Sequence, residues 1–123
     1  MKLAYAFESG IALVHLAGTY TTADLRETVQ ALLADPACPE KPMLLLDSRA
    51  SQVIQDRSGK DMQEVAGALQ LIAARIGRKL AMVAGSEVAC GLLRLGSGYA
   101  AQAGVEPAVF RDLASARAWL LET

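Results

Sequence analysis

Two short, uninterrupted apolar runs constrain this chain most: Met43-Leu44-Leu45-Leu46 and Leu80-Ala81-Met82-Val83-Ala84. Each has the length of a strand, and neither alternates apolar with polar residues. Strands of that kind are covered on both faces, which is the habit of a parallel sheet flanked by helices. Parallel neighbours cannot be joined by a tight turn; they need a long crossover, usually helical. The interval between the two runs supplies one. Met62, Val65, Ala66, Leu69, Ile72, Ala73 and Ile76 recur at helical spacing. Gly77-Arg78-Lys79 then ends the helix with a glycine cap and with cations at its negative end.

The same rhythm extends in both directions. Leu3, Tyr5 and Phe7 alternate along a half-buried strand, and Glu8-Ser9-Gly10 supplies turn chemistry. Ile11 to Ala17 reads as a second strand, so the chain opens on a hairpin. Thr21 or Thr22 can cap a helix carrying Asp24 in its first turn and Leu25, Val29, Leu32 and Leu33 on one face, stopped by Asp35-Pro36. After the second run, Gly85-Ser86 opens a helix from about Glu87 to Ala103, interrupted by Gly91, Gly96 and Gly98. Ala108-Val109-Phe110 is the last strand, and Asp112 caps a final helix buried by Leu113, Ala116, Trp119 and Leu120, with Trp119 as its anchor.

The expected order is β-β-α-β-α-β-α-β-α. It predicts an α/β fold in a single domain spanning residues 1–123. Its mixed sheet has about five strands, the first two an antiparallel hairpin and the rest parallel, with about four helices and right-handed crossovers. A formal net charge of −1 leaves no electrostatic footprint for nucleic acid or for an anionic membrane. No apolar run approaches the ~20 residues of a spanning helix. Glu8-Ser9-Gly10 interrupts the N-terminal apolar stretch before a signal peptide could form, so a cytoplasmic location is expected. Cys38 and Cys90 are then expected as reduced thiols, the first exposed in a loop and the second buried, and neither has a base beside it in sequence.

The order of Leu44-Leu45-Leu46-Asp47, Leu80-Ala81-Met82-Val83, Gly91-Leu92-Leu93-Arg94, Val109-Phe110-Arg111-Asp112 and Trp119-Leu120 resembles the SpoIIAA-like branch of the STAS (sulfate transporter and anti-sigma factor antagonist) families. The resemblance covers nearly the whole chain and rests on core positions and caps. It implies a SpoIIAA-like β-α superhelix with helices mainly on one face of the sheet. Anti-sigma factor antagonists in that superfamily carry Asp-Ser-Ser-Gly after the third strand, and a partner kinase phosphorylates the second serine. Asp56-Arg57-Ser58-Gly59 stands near that place, matching at Asp56, Ser58 and Gly59 and departing at Arg57. The resemblance therefore makes Asp56, Arg57, Ser58 and Gly59 a candidate phosphorylation and partner surface. A phosphate there would meet a helix N-terminus, with Arg49 and Arg57 in the same loop. The plainer role is a helix cap.

Asp47 ends a buried strand at its carboxyl end, the edge where open α/β sheets bind ligands. Arg49 lies beside it, and Gly85-Ser86 marks the next strand-to-helix junction on that edge. Asp47, Arg49, Gly85 and Ser86 are thus a candidate anion or ligand edge, set against ordinary loop-capping roles. His15, the one histidine, shares a strand face with Ile11 and Leu13 and is expected to be structural. Leu92, Leu93, Leu95 and Tyr99 could line an apolar groove or belong to the core. No metal spacing and no nucleophile–base pair can be assembled, so no cofactor, no metal and no enzymatic activity are expected. The function expected is a non-enzymatic interaction module with a protein partner such as a kinase or an anti-sigma-like factor. The alternative is a carrier of a small anionic or lipid-like ligand. A homodimer is compatible with either.

Overall fold

In the computed structural model the described residues are 3–51, 75–77, 79–102 and 104–122. They form strands β1 (Ala4–Glu8), β2 (Ile11–Gly18), β3 (Met43–Ser51), β4 (Lys79–Val83) and β5 (Glu106–Phe110), and helices α1 (Thr22–Ala34), α2 (Glu87–Gln102) and α3 (Leu113–Leu121). The strands make one sheet in the order β1-β2-β3-β4-β5. The β1–β2 pair is antiparallel and the other three pairs are parallel. The expected mixed sheet is therefore present, with three helices described rather than four. The helix expected from Met62 lies outside the described residues except at its end, where Ile76 is buried in the core.

The hairpin closes at Ser9-Gly10, where φ is 50° and 80°. Two successive residues in the left-handed region match the right-handed twist of the flanking strands, and glycine adopts that region without strain. Thr21 caps α1 reciprocally: its hydroxyl accepts from the Asp24 N–H at 3.0 Å, and its own N–H donates to the Asp24 carboxylate at 2.9 Å.

The bounds of β1, β2 and β4 shift from expectation by one residue, and those of β3 and β5 by more. β3 does not end at Asp47-Ser48-Arg49 but continues to Ser51. Its neighbour β2 also runs on, and after an irregularity between His15 and Ala17 the pairs Ala17↔Ala50 and Gly18↔Ser51 extend the ladder. β5 begins at Glu106, ahead of Pro107. An edge strand tolerates a residue that cannot donate to the ladder.

The strand pleat divides the core in two. On one face Ala12, Val14, Leu16, Leu44, Leu80 and Met82 pack with Leu32 of α1 and Ala89, Cys90 and Leu93 of α2. On the other, Ile11, Leu13, Leu45, Ala81 and Val83 pack with Ala116 and Leu120 of α3. Two of the three described helices therefore share a face, and α3 folds back across the opposite one. Its deepest anchors are Ala116 and Leu120, at 0% and 1% exposure, rather than Trp119. Trp119 is half-buried, against Phe110 at 5.7 Å between ring centroids and beneath the Lys79 ammonium at 4.9 Å. Lys79 also donates to the carbonyls of Trp119 and Glu122, holding the C-terminus of α3 against β4.

Candidate functional site

The pleat that carries Ile11 and Leu13 inward on the α3 face puts His15 on that same face, and the period of two does the same for Leu45, Asp47 and Arg49. His15 and Asp47 are direct partners in the parallel β2–β3 register. At the carboxyl edge of the sheet the apolar surface therefore gives way to one polar cluster.

Asp47 is its centre. The carboxylate is 7% exposed, whereas the His15 and Arg49 side chains are 47% and 46% exposed. His15 Nδ1 lies 3.3 Å from Asp47 Oδ2. Arg49 grips the same carboxylate with two prongs, Nε to Oδ1 at 2.9 Å and Nη2 to Oδ2 at 3.0 Å, and its backbone N–H donates to Oδ1 at 3.2 Å. Burial pushes the Asp47 carboxyl up, but the hydrogen bonds from Arg49 and the charges of Arg49 and His15 outweigh it and hold the group below the ordinary carboxylate range. Asp47 in turn raises the Arg49 guanidinium further, with a smaller contribution from the charge of Asp112. Asp112 itself is committed to α3: its carboxylate accepts from the Ser115 N–H at 2.7 Å and from the Ser115 hydroxyl at 3.0 Å.

Ser48 points to the other face and is buried, donating to the Val83 carbonyl at 2.6 Å. Gly85 is where the β3 extension comes closest to the next junction. A Cβ added there would lie 2.7 Å from the Arg49 carbonyl oxygen and 3.1 Å from its Cα. Ser86 caps α2, its hydroxyl accepting from the Ala89 N–H at 3.1 Å. Asp47, Arg49 and Gly85 are thus brought together, with Ser86 one residue further at the helix cap.

The other expectations distribute as follows. Asp56, Arg57, Ser58 and Gly59 lie outside the described residues. Leu93 belongs to the core and Leu92 is half-buried against it, while Leu95 stands 66% exposed on α2. Cys90 is buried as expected, but Cys38 is half-buried rather than exposed. Its thiol contacts the Pro39 carbonyl at 3.4 Å, and burial with the nearby Asp35 charge pushes its pKa up, against nucleophilic use. His15 is the residue that sequence reasoning left out of the site. No local pattern signals it, because the register that pairs it with Asp47 joins two strands far apart in the sequence.

Fold and cluster together define an α/β domain with a buried carboxylate anchoring a half-exposed guanidinium and a half-exposed imidazole at the carboxyl edge. No protein-family model, no curated protein and no solved structure matches the chain. No described helix is long and apolar enough to cross a membrane.

Proposed function

We propose that this chain is a STAS-like interaction module of the cytoplasm that works without catalysis and recognises a protein partner through the carboxyl edge of its sheet. The observation that carries the reading is the His15–Asp47–Arg49 cluster, which presents a half-exposed imidazole and a half-exposed guanidinium held against one buried carboxylate. An antiparallel hairpin followed by consecutive parallel strands agrees with the fold implied by the resemblance. The hydroxyl nearest Asp47 in sequence, Ser48, is engaged by the Val83 carbonyl, which supports a binding role over a nucleophilic one. Phosphorylation of Ser58 would add charge to the segment that follows β3 in the sequence.

The test uses exposed charges on that edge that are not members of the cluster. Arg111→Glu and Glu87→Lys reverse charge at the junctions before α3 and at the start of α2, where both side chains are exposed. Arg117→Glu is the control, because Arg117 pairs with Glu8 beside the hairpin turn at the opposite end of the sheet. Cross-linking in cells followed by mass spectrometry should recover one dominant partner with the wild type and with the control. The same partner should be lost with the edge variants. Equal recovery by all four proteins would refute the reading.

A further inference from the structure

We propose that His15 and Arg49 together form a two-point receptor for an oxyanion, a carboxylate or a phosphate monoester, with Asp47 as the positioning residue behind them. The inference rests on the carboxyl edge being the recognition surface and names the chemistry recognised there.

Donor geometry leads to this assignment. A guanidinium has five N–H donors in a planar fork. Asp47 takes the Nε donor and one from Nη2, which leaves both donors of Nη1 and the second of Nη2 directed away from the buried carboxylate. The His15 Nδ1 lies against Asp47 Oδ2 at 3.3 Å, which turns Nε2 away from that carboxylate, and in the protonated ring both nitrogens are donors, so it is the imidazolium that offers Nε2–H to an oxyanion. Both side chains stand about half exposed on the same face of adjacent strands. Each is tied at its inner end to one immobile group, so little rotamer freedom remains to be lost when a ligand bridges them.

Charge decides which anion fits. Asp47 balances Arg49, and the charge of Asp112 also acts on Arg49. The protonated His15 ring adds a single positive charge, and the site selects by directed hydrogen bonds from the two side chains. A planar carboxylate or a single phosphate matches the guanidinium fork, whereas a polyanion gains nothing further here. The oxyanion can be free in solution or borne by a residue of the partner.

The sole histidine gives an unambiguous probe. Sodium phosphate is titrated into the protein at constant pH, with sodium chloride matching the ionic strength, while the His15 Cε1–H resonance is followed by NMR. A saturable shift with phosphate and none with chloride is expected, with a dissociation constant on the order of 1–10 mM. Arg49→Lys keeps the charge but loses the fork and should weaken binding about tenfold. Asp47→Asn should weaken it similarly while the amide spectrum stays folded. A second arm uses a short, otherwise neutral phosphoserine peptide. Binding about tenfold tighter than inorganic phosphate supports an oxyanion borne by the partner; equal or weaker binding supports a free one. No saturable shift by about 50 mM, far beyond that expected range, overturns the receptor. So does a shift of equal affinity in Arg49→Lys. If phosphate binds but the edge charge reversals leave partner capture intact, the partner reading fails and the receptor stands.

Discussion

His15 and Asp47 face each other across the parallel β2–β3 ladder, Nδ1 to Oδ2 at 3.3 Å, one half exposed and the other buried. The pair exists because two strands that are distant in sequence end at the same edge with the same pleat. A carboxylate this buried would be costly without partners. His15 and Arg49 satisfy it from the solvent side, so the arrangement joins the interior of the sheet to its surface.

Acid should weaken the fold through Asp47. Its folded-state pKa lies below the ordinary value, so its contribution to stability is fully present above about pH 4, the unfolded value, and is lost as pH falls through the folded value. Asp47→Asn should cost about 1–2 kcal/mol at neutral pH, at the modest end because both partners are half solvated. Denaturant unfolding of wild type and variant across pH 2–7 should show this gap closing below about pH 4. A gap that does not change with pH would contradict the assignment.

Gly85→Ala should be costly. The added methyl would press on the Arg49 backbone at 2.7 Å and 3.1 Å, and backbone yields less readily than the end of a side chain. A loss of about 1–3 kcal/mol is expected, with the His15 resonances displaced because Arg49 shares their anchor. A neutral substitution would mean that the β3 extension sits further from Gly85.

Leu120, not Trp119, should dominate the docking of α3. Leu120→Ala removes a side chain that is 1% exposed and should cost about 2–5 kcal/mol. Trp119→Ala should cost about 2 kcal/mol, below the ~3–5 of a fully buried ring. The reverse order in urea midpoints would show that the aromatic contact with Phe110 outweighs aliphatic burial.

At the hairpin, Ser9→Asn should stabilise by a few tenths of a kcal/mol, because asparagine tolerates the left-handed region better than serine. Gly10→Ala, at φ 80°, should destabilise by about 1 kcal/mol. Thermal midpoints of the two variants moving in the same direction would contradict the turn geometry.

Most of the sheet was readable because local signals carried it: turn residues at Ser9-Gly10, caps at Thr21 and Asp112, and apolar runs in β3 and β4. The length of β3 was not readable. Asp47-Ser48-Arg49 looks like a strand end by composition, and only the partner β2, itself extended to Gly18, carries the ladder past it. Trp119 misled for a related reason. Ring size suggests an anchor, but its place on the helix decides how much of it is covered, and Leu120 holds the deeper position. Asp47, Arg49 and Gly85 could be named from their positions at strand ends. His15 could not, because no local pattern reports the strand register that pairs it with Asp47.

The central claim is that the buried Asp47 holds His15 and Arg49 as one unit, and the nitrogen spectrum of His15 tests it most directly. In long-range ¹H–¹⁵N spectra of the neutral imidazole, the proton should reside on Nδ1, donated to Asp47, with Nε2 unprotonated and open to solvent. Asp47→Asn should shift the ring toward the Nε2–H form of a solvated histidine. A wild-type spectrum already in that form, and unchanged by Asp47→Asn, would contradict the account.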